Sequence, residues 1–150
     1  MVTPSCSSRR KFLVVVSSTV AGAPLLGCSQ AGQPPEAVGK VDAGLASSYP
    51  VGTLEPIGNL PVALGHDAGG FYALTLTCTH QGCNMAQQGV VSGSGIVCRC
   101  HGASYDADGH VKGGPAPEDL THFAVNIDAV TGAITIDGDT HVSAATRTPV

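Results

Sequence analysis

Residues 78–83 read Cys78-Thr79-His80-Gln81-Gly82-Cys83, and residues 98–105 read Cys98-Arg99-Cys100-His101-Gly102-Ala103-Ser104-Tyr105. These two clusters start 20 residues apart and use four of the six cysteines and two of the six histidines in the chain. Thiolates beside imidazoles are the ligand set of a transition-metal centre. Zinc sites favour C-x2-C and H-x3-H spacings, and neither occurs here. Each cluster offers two cysteines and one histidine, so the chain has more donors than one metal centre needs. Spacing alone does not decide which of them bind.

The double motif C-x-H-x2-C…C-x-C-H resembles the signature of the Rieske [2Fe-2S] proteins, and the resemblance covers residues 51–138. It implies an all-β, Rieske-like fold: antiparallel base sheets carrying a small cluster-binding subdomain. It also implies one [2Fe-2S] cluster per chain, with two thiolates on one iron and two imidazoles on the other. The family's ligands correspond to Cys78, His80, Cys98 and His101. The remaining pair, Cys83 and Cys100, corresponds to the family's disulfide between the two loops. Such a bond closes a loop of 17 residues, worth roughly 3 kcal/mol in the chain-entropy model. Tyr105 corresponds to the tyrosine whose hydroxyl bonds a ligand thiolate, here Cys78. Ala103 stands where quinol-oxidising relatives carry a serine that donates to a bridging sulfide, so a lowered potential is expected. Arg99 replaces the usual proline. Gly113-Gly114-Pro115-Ala116-Pro117 resembles the proline loop that covers the cluster in respiratory Rieske proteins, and its two prolines fix φ and stiffen it.

The strand pattern around the clusters agrees with this fold. Leu60 to Gly65 and Phe71 to Thr77 flank the turn Asp67-Ala68-Gly69-Gly70. Val90-Val91 and Ile96-Val97 flank Ser92-Gly93-Ser94-Gly95. Tyr105 and Val111 flank Asp106-Ala107-Asp108-Gly109, and His122 to Ile127 and Ala133 to Ile136 flank a turn ending in Gly132. Short β runs between glycine-rich turns read as hairpins. The strands before Cys78 and after Thr121 are expected to form a base, with both clusters in a cap between them. No helical period is found beyond the leader.

The length of 150 residues fits one domain. Twenty glycines, six Phe and Tyr, and no Trp imply a small core, which a metal centre or cross-link would help to hold. Three of the seven basic residues (Arg9, Arg10 and Lys11) sit in the leader, and all 11 acidic ones lie beyond it. An acidic domain without a basic patch argues against nucleic-acid binding. No phosphate loop, G-x-S-x-G or H-E-x-x-H points to independent catalysis.

The first 28 residues read as an export signal. Ser8-Arg9-Arg10-Lys11-Phe12-Leu13 resembles a twin-arginine motif, and the apolar run from Phe12 to Leu26 has the length of a signal core. Leu25-Leu26-Gly27-Cys28 resembles a bacterial lipobox, with Leu26 where a smaller residue is commoner. That resemblance implies acylation of Cys28; the alternatives are an uncleaved leader serving as a membrane anchor and a Cys28 that is a bystander. Residues 29–50, in which Ala, Gly, Pro and Ser fill 13 of 22 positions, read as a flexible linker. Residues 139–150 read as a C-terminal tail.

Together these features imply one-electron transfer at the extracytoplasmic face of a bacterial membrane. The implied partners are quinol, a cytochrome or an oxidoreductase subunit, within a quinol:cytochrome c reductase-type or other periplasmic complex. The alternatives are a free-standing ferredoxin-like lipoprotein and a cell-surface binding protein that has lost the cluster.

Overall fold

The computed structural model describes residues 38–150. Its strands are β1 (Lys40–Leu45), β2 (Thr53–Pro56), β3 (Val62–Asp67), β4 (Gly70–Thr75), β5 (Gly89–Ser92), β6 (Gly95–Cys98), β7 (Ser104–Tyr105), β8 (Val111–Gly113), β9 (His122–Ile127) and β10 (Ala133–Val142). A one-turn helix, α1 (Met85–Gln88), separates β4 from β5. All strand pairs are antiparallel. They make a six-stranded sheet in the order β1-β10-β9-β4-β3-β2 and a four-stranded sheet in the order β5-β6-β7-β8. The larger sheet is the base, and the smaller one, inserted between β4 and β9, is the cap.

Strands β3 and β4 are buried on both faces, and the reason lies in their alternation. Val62, Leu64, Phe71 and Ala73 face the core inside the base, with Phe123, Ile134 and Ile136. Ala63, Tyr72 and Leu74 face the opposite way, into the core shared with the cap, where they meet Met85, Ile96, Ala103, Tyr105 and Leu120. Successive strand side chains point to opposite faces, so one hairpin welds the two halves together. The cysteine loops grow directly from this hairpin and from β6.

Two boundaries differ from the sequence-based expectation. The linker drawn to Pro50 ends before Lys40, because β1 pairs with β10 with Val41 opposite Ile136. Val41 and Ala43 are buried while Lys40 and Asp42 are exposed. This is a period-two pattern written in small residues, and composition disguised it. The tail drawn from residue 139 is also partly structural. β10 continues to Val142, and Thr148 exchanges both backbone hydrogen bonds with Phe71. β2 and α1 were not expected; α1 is a single turn, too short to show a period, capped by the Asn84 side chain accepting from the Ala86 N–H. The leader, with Cys28, lies outside the described residues.

Candidate metal centre

The two cysteine–histidine loops are built alike. In the first, the Cys78 N–H donates to the Cys83 carbonyl at 2.9 Å and the Gly82 N–H to the Cys78 carbonyl at 2.8 Å. In the second, the Cys98 N–H donates to the Ala103 carbonyl at 2.8 Å and the Gly102 N–H to the Cys98 carbonyl at 3.0 Å. Each loop is thus closed by the same pair of bonds at the same spacing. Each also requires a left-handed residue at its fifth position, and glycine supplies it: φ is 72° at Gly82 and 78° at Gly102.

These paired loops bring one free thiol and one imidazole each to a common place. Cys78 and Cys98 are free and buried, 2% and 1% exposed. Burial pushes the Cys98 thiol pKa up; the backbone N–H groups of Cys100 and His101 pull against it, while the neighbouring Cys78 thiol adds to the rise. The His80 and His101 rings lie edge to face, with centroids 4.7 Å apart. The Nδ1 of His80 is buried and has no hydrogen-bond partner. His101 is exposed.

Cys83 and Cys100 form a disulfide that ties the first loop to the second. The sulfurs of Cys83, Cys98 and Cys100 lie within 4.8 Å of one another. Two of those three are oxidised to each other, so only Cys98 has a thiolate to offer there. A second brace runs from the Arg99 N–H to the carbonyl of Gln88 at 2.8 Å. Proline at position 99 would lack that donor.

Around the loops, the Tyr105 hydroxyl lies 3.5 Å from the Cys78 sulfur and 3.1 Å from Thr79 Oγ1. Burial first, and then the Cys78 thiol, push the Tyr105 pKa up to about 12, so the phenol keeps its proton. Thr79 Oγ1 also donates to the Glu118 carbonyl at 2.8 Å, fastening the proline-containing loop to the first cysteine loop. That loop presses on the second one as well: a side chain at Gly114, where φ is 82°, would sit 2.5 Å from the Gly102 carbonyl oxygen. Ala103 is fully buried beneath this contact. Thr79 and Glu118 had no signal in the sequence, because their bonds span 26 and 39 residues.

Two buried thiols beside two imidazoles, one with an orphaned ring nitrogen, make a donor set with unmet valence. It fits an iron–sulfur cluster with mixed sulfur and nitrogen ligands.

The profile of the Rieske [2Fe-2S] domain matches residues 41–124. The chain belongs to the Rieske [2Fe-2S] family. Its cofactor is a Rieske-type [2Fe-2S] cluster, and the protein transfers electrons. The chain is 42% identical over 64 residues to the cytochrome b6-f complex iron-sulfur subunit of a Cyanothece species, covering 41% of this chain and 35% of that one. It is 35% identical over 92 residues to the corresponding subunit of a Synechococcus species, covering 57% and 50%. The aligned stretch therefore spans between a third and a half of those relatives' length. Among solved structures, a chain in the complex of reduced oxygenase and oxidised ferredoxin of carbazole 1,9a-dioxygenase superposes with a TM-score of 0.50. The match has 23% identity, over 72% of this chain and all of that one, and shows the shared fold.

Proposed function

We propose that Cys78 and Cys98 bind one iron and His80 and His101 the other. On this reading the protein carries single electrons at the extracytoplasmic face of a membrane. It does so as the iron–sulfur subunit of a quinol:cytochrome c reductase-type or other periplasmic oxidoreductase complex. The observation that carries the ligand assignment is the juxtaposition of two buried free thiols with two adjacent imidazole rings, on loops braced by the Cys83–Cys100 disulfide.

When bound, the cluster supplies a one-electron couple in the range of roughly −150 to +300 mV found for Rieske centres. The residues around it divide the remaining work. Tyr105, held protonated, donates to the Cys78 thiolate and stabilises the reduced, more negative state. The N–H groups of Cys100 and His101 do the same for Cys98. The disulfide and the Arg99–Gln88 bond keep the two loops at a fixed separation, which limits reorganisation when charge changes. His80 is half-buried, with its Nδ1 buried, whereas His101 is exposed. His101 is thus the ring at which a quinol or a protein partner meets the centre, and its outward nitrogen takes up or releases the coupled proton.

An exported domain is consistent with a persistent disulfide and with the leader. From Cys28 to Val38 the chain reaches at most about 35 Å when extended, so a lipid at Cys28 would hold the domain near the membrane. Protease added to intact spheroplasts that express the full chain should digest the domain; protection until lysis overturns the extracytoplasmic placement. Rapid mixing of the oxidised protein with a quinol should bleach the visible absorption of the cluster. Reduction by dithionite but never by quinol overturns the quinol reaction.

A further inference from the structure

One of the two ligand thiols lies beside the disulfide that braces the loops. The sulfurs of Cys83, Cys98 and Cys100 are within 4.8 Å of one another. Cys83 and Cys100 are bonded to each other, and Cys98 is a free thiol. Cys78, the other free cysteine of the described residues, is not one of the three and faces the Tyr105 hydroxyl. Cys98 is 1% exposed, whereas Cys83 and Cys100 are half-buried. Attack by Cys98 on the disulfide is therefore an intramolecular reaction, shielded from dissolved thiols.

Thiol–disulfide exchange needs an attacking thiolate, a disulfide sulfur within reach and a sulfur able to leave. Gln88 marks which sulfur leaves. Its side-chain Oε1 lies 2.8 Å from the Cys100 sulfur. A disulfide sulfur carries no proton, so no S–H···O bond is made while the native pair is intact; Cys100 makes one as soon as it becomes a thiol. Cys83 is then the sulfur attacked. A Cys98–Cys100 bond, by contrast, would have to close around Arg99 alone. A Cys83–Cys98 bond closes a loop of 15 residues instead of 17, so chain entropy barely separates the two pairings.

We propose that the chain without its cluster rearranges by this exchange. The Cys98 thiolate attacks the Cys83 sulfur, the Cys83–Cys98 bond forms, and the Cys83–Cys100 bond breaks. Cys100 leaves as a thiolate, takes up the proton that Cys98 gave up, and donates a hydrogen bond to Gln88 Oε1. No electrons enter or leave: one disulfide and one thiol stand on each side of the step. The rearranged chain lacks one thiolate of the ligand set and does not take the cluster back. The proposal rests on Cys98 being an iron ligand, since a sulfur held by iron is not free to attack. The brace between the loops thus doubles as a latch that retires a chain whose centre is lost.

The test starts from the full-length protein with its cluster, under nitrogen. A strong iron chelator strips the metal, and samples taken over hours are labelled with N-ethylmaleimide and digested with trypsin without reduction. Trypsin cuts after Lys40, Arg99 and Lys112. The native disulfide therefore joins peptide 41–99 to peptide 100–112, whereas the exchanged one lies inside 41–99 and frees 100–112 with a labelled Cys100. The label should move from Cys98 to Cys100, with the total label constant and the far-UV circular dichroism unchanged. Uptake of added iron and sulfide should fall in step with the fraction of Cys98 left free. Gln88→Met should slow the release of 100–112 roughly three- to tenfold, the worth of one hydrogen bond. Cys98 still labelled and the two peptides still joined after hours overturn the exchange. Products that pair Cys78 as often as Cys98 also overturn it, because they mark shuffling in an unfolded chain. Release of 100–112 at the same rate with the cluster in place overturns instead the assignment of Cys98 as an iron ligand.

Discussion

Arg147→Ala should detach the C-terminal segment and loosen the cap from the base. The guanidinium, only 16% exposed, bonds Asp67 from the β3–β4 turn of the base at 2.6 Å and Asp108 from the β7–β8 turn of the cap. It also donates to the Ala144 carbonyl at 2.7 Å and lies 4.1 Å over the Tyr72 ring. Tyr72 in turn donates to the Ala107 carbonyl of the cap at 3.1 Å. Both carboxylates are about half exposed and regain water when the arginine is removed, so each ion pair contributes only about 0.5–1 kcal/mol. The carbonyl bond adds about 1 kcal/mol and the cation–π contact about 0.5 kcal/mol. The expected loss is about 2.5–3.5 kcal/mol, which for a domain of this size lowers Tm by about 10 °C. Heating the cluster-loaded protein while following far-UV circular dichroism and visible absorption measures it. Arg147→Lys, which keeps a charge and loses the fork, should recover less than half. A Tm shift below 2 °C for Arg147→Ala would refute the reasoning, as would full rescue by lysine.

Three further outcomes are expected. Ala103→Ser should raise the reduction potential in a potentiometric titration; a bond that strengthens by about 1.4 kcal/mol on reduction corresponds to about 59 mV for one electron, and no change or a fall counts against the tuning argument. Replacing Cys83 and Cys100 together by serine should cost roughly 3 kcal/mol and speed loss of visible absorption in urea, with the Arg99–Gln88 bond slowing but not preventing it. Buried His122, whose pKa is pushed down chiefly by burial and further by Arg147, with the Leu120 carbonyl opposing, stays neutral when folded. Its contribution to stability is present above an unfolded pKa of about 6.5 and is lost as pH falls through its lower folded value. Tm should therefore fall from pH 7 to pH 5, and the slope should flatten in His122→Gln; an unchanged slope contradicts this assignment.

The hairpins that carry the loops were legible because glycine-rich turns sit between β-branched runs, as at Val90-Val91 and Ile96-Val97. The nesting of cap within base followed from the position of the clusters. The tyrosine contact to Cys78 was reachable only through resemblance, since it spans 27 residues. What stayed hidden depends on partners distant in the chain. β1 is written in alanine, glycine and valine and becomes a strand only because β10 offers it an edge. Arg147 looks like a surface charge in a polar tail until Asp67 and Asp108, 80 and 39 residues away, converge on it. Thr79 and Glu118 meet only after the cap has folded.

Nitrogen hyperfine spectroscopy on the reduced protein tests the central claim most directly. Two inequivalent histidine nitrogens should couple to the cluster, one disappearing in His80→Cys and the other in His101→Cys, with two sulfur ligands left on the second iron. A centre with no histidine nitrogen coupling, or couplings that survive both substitutions, would contradict the account.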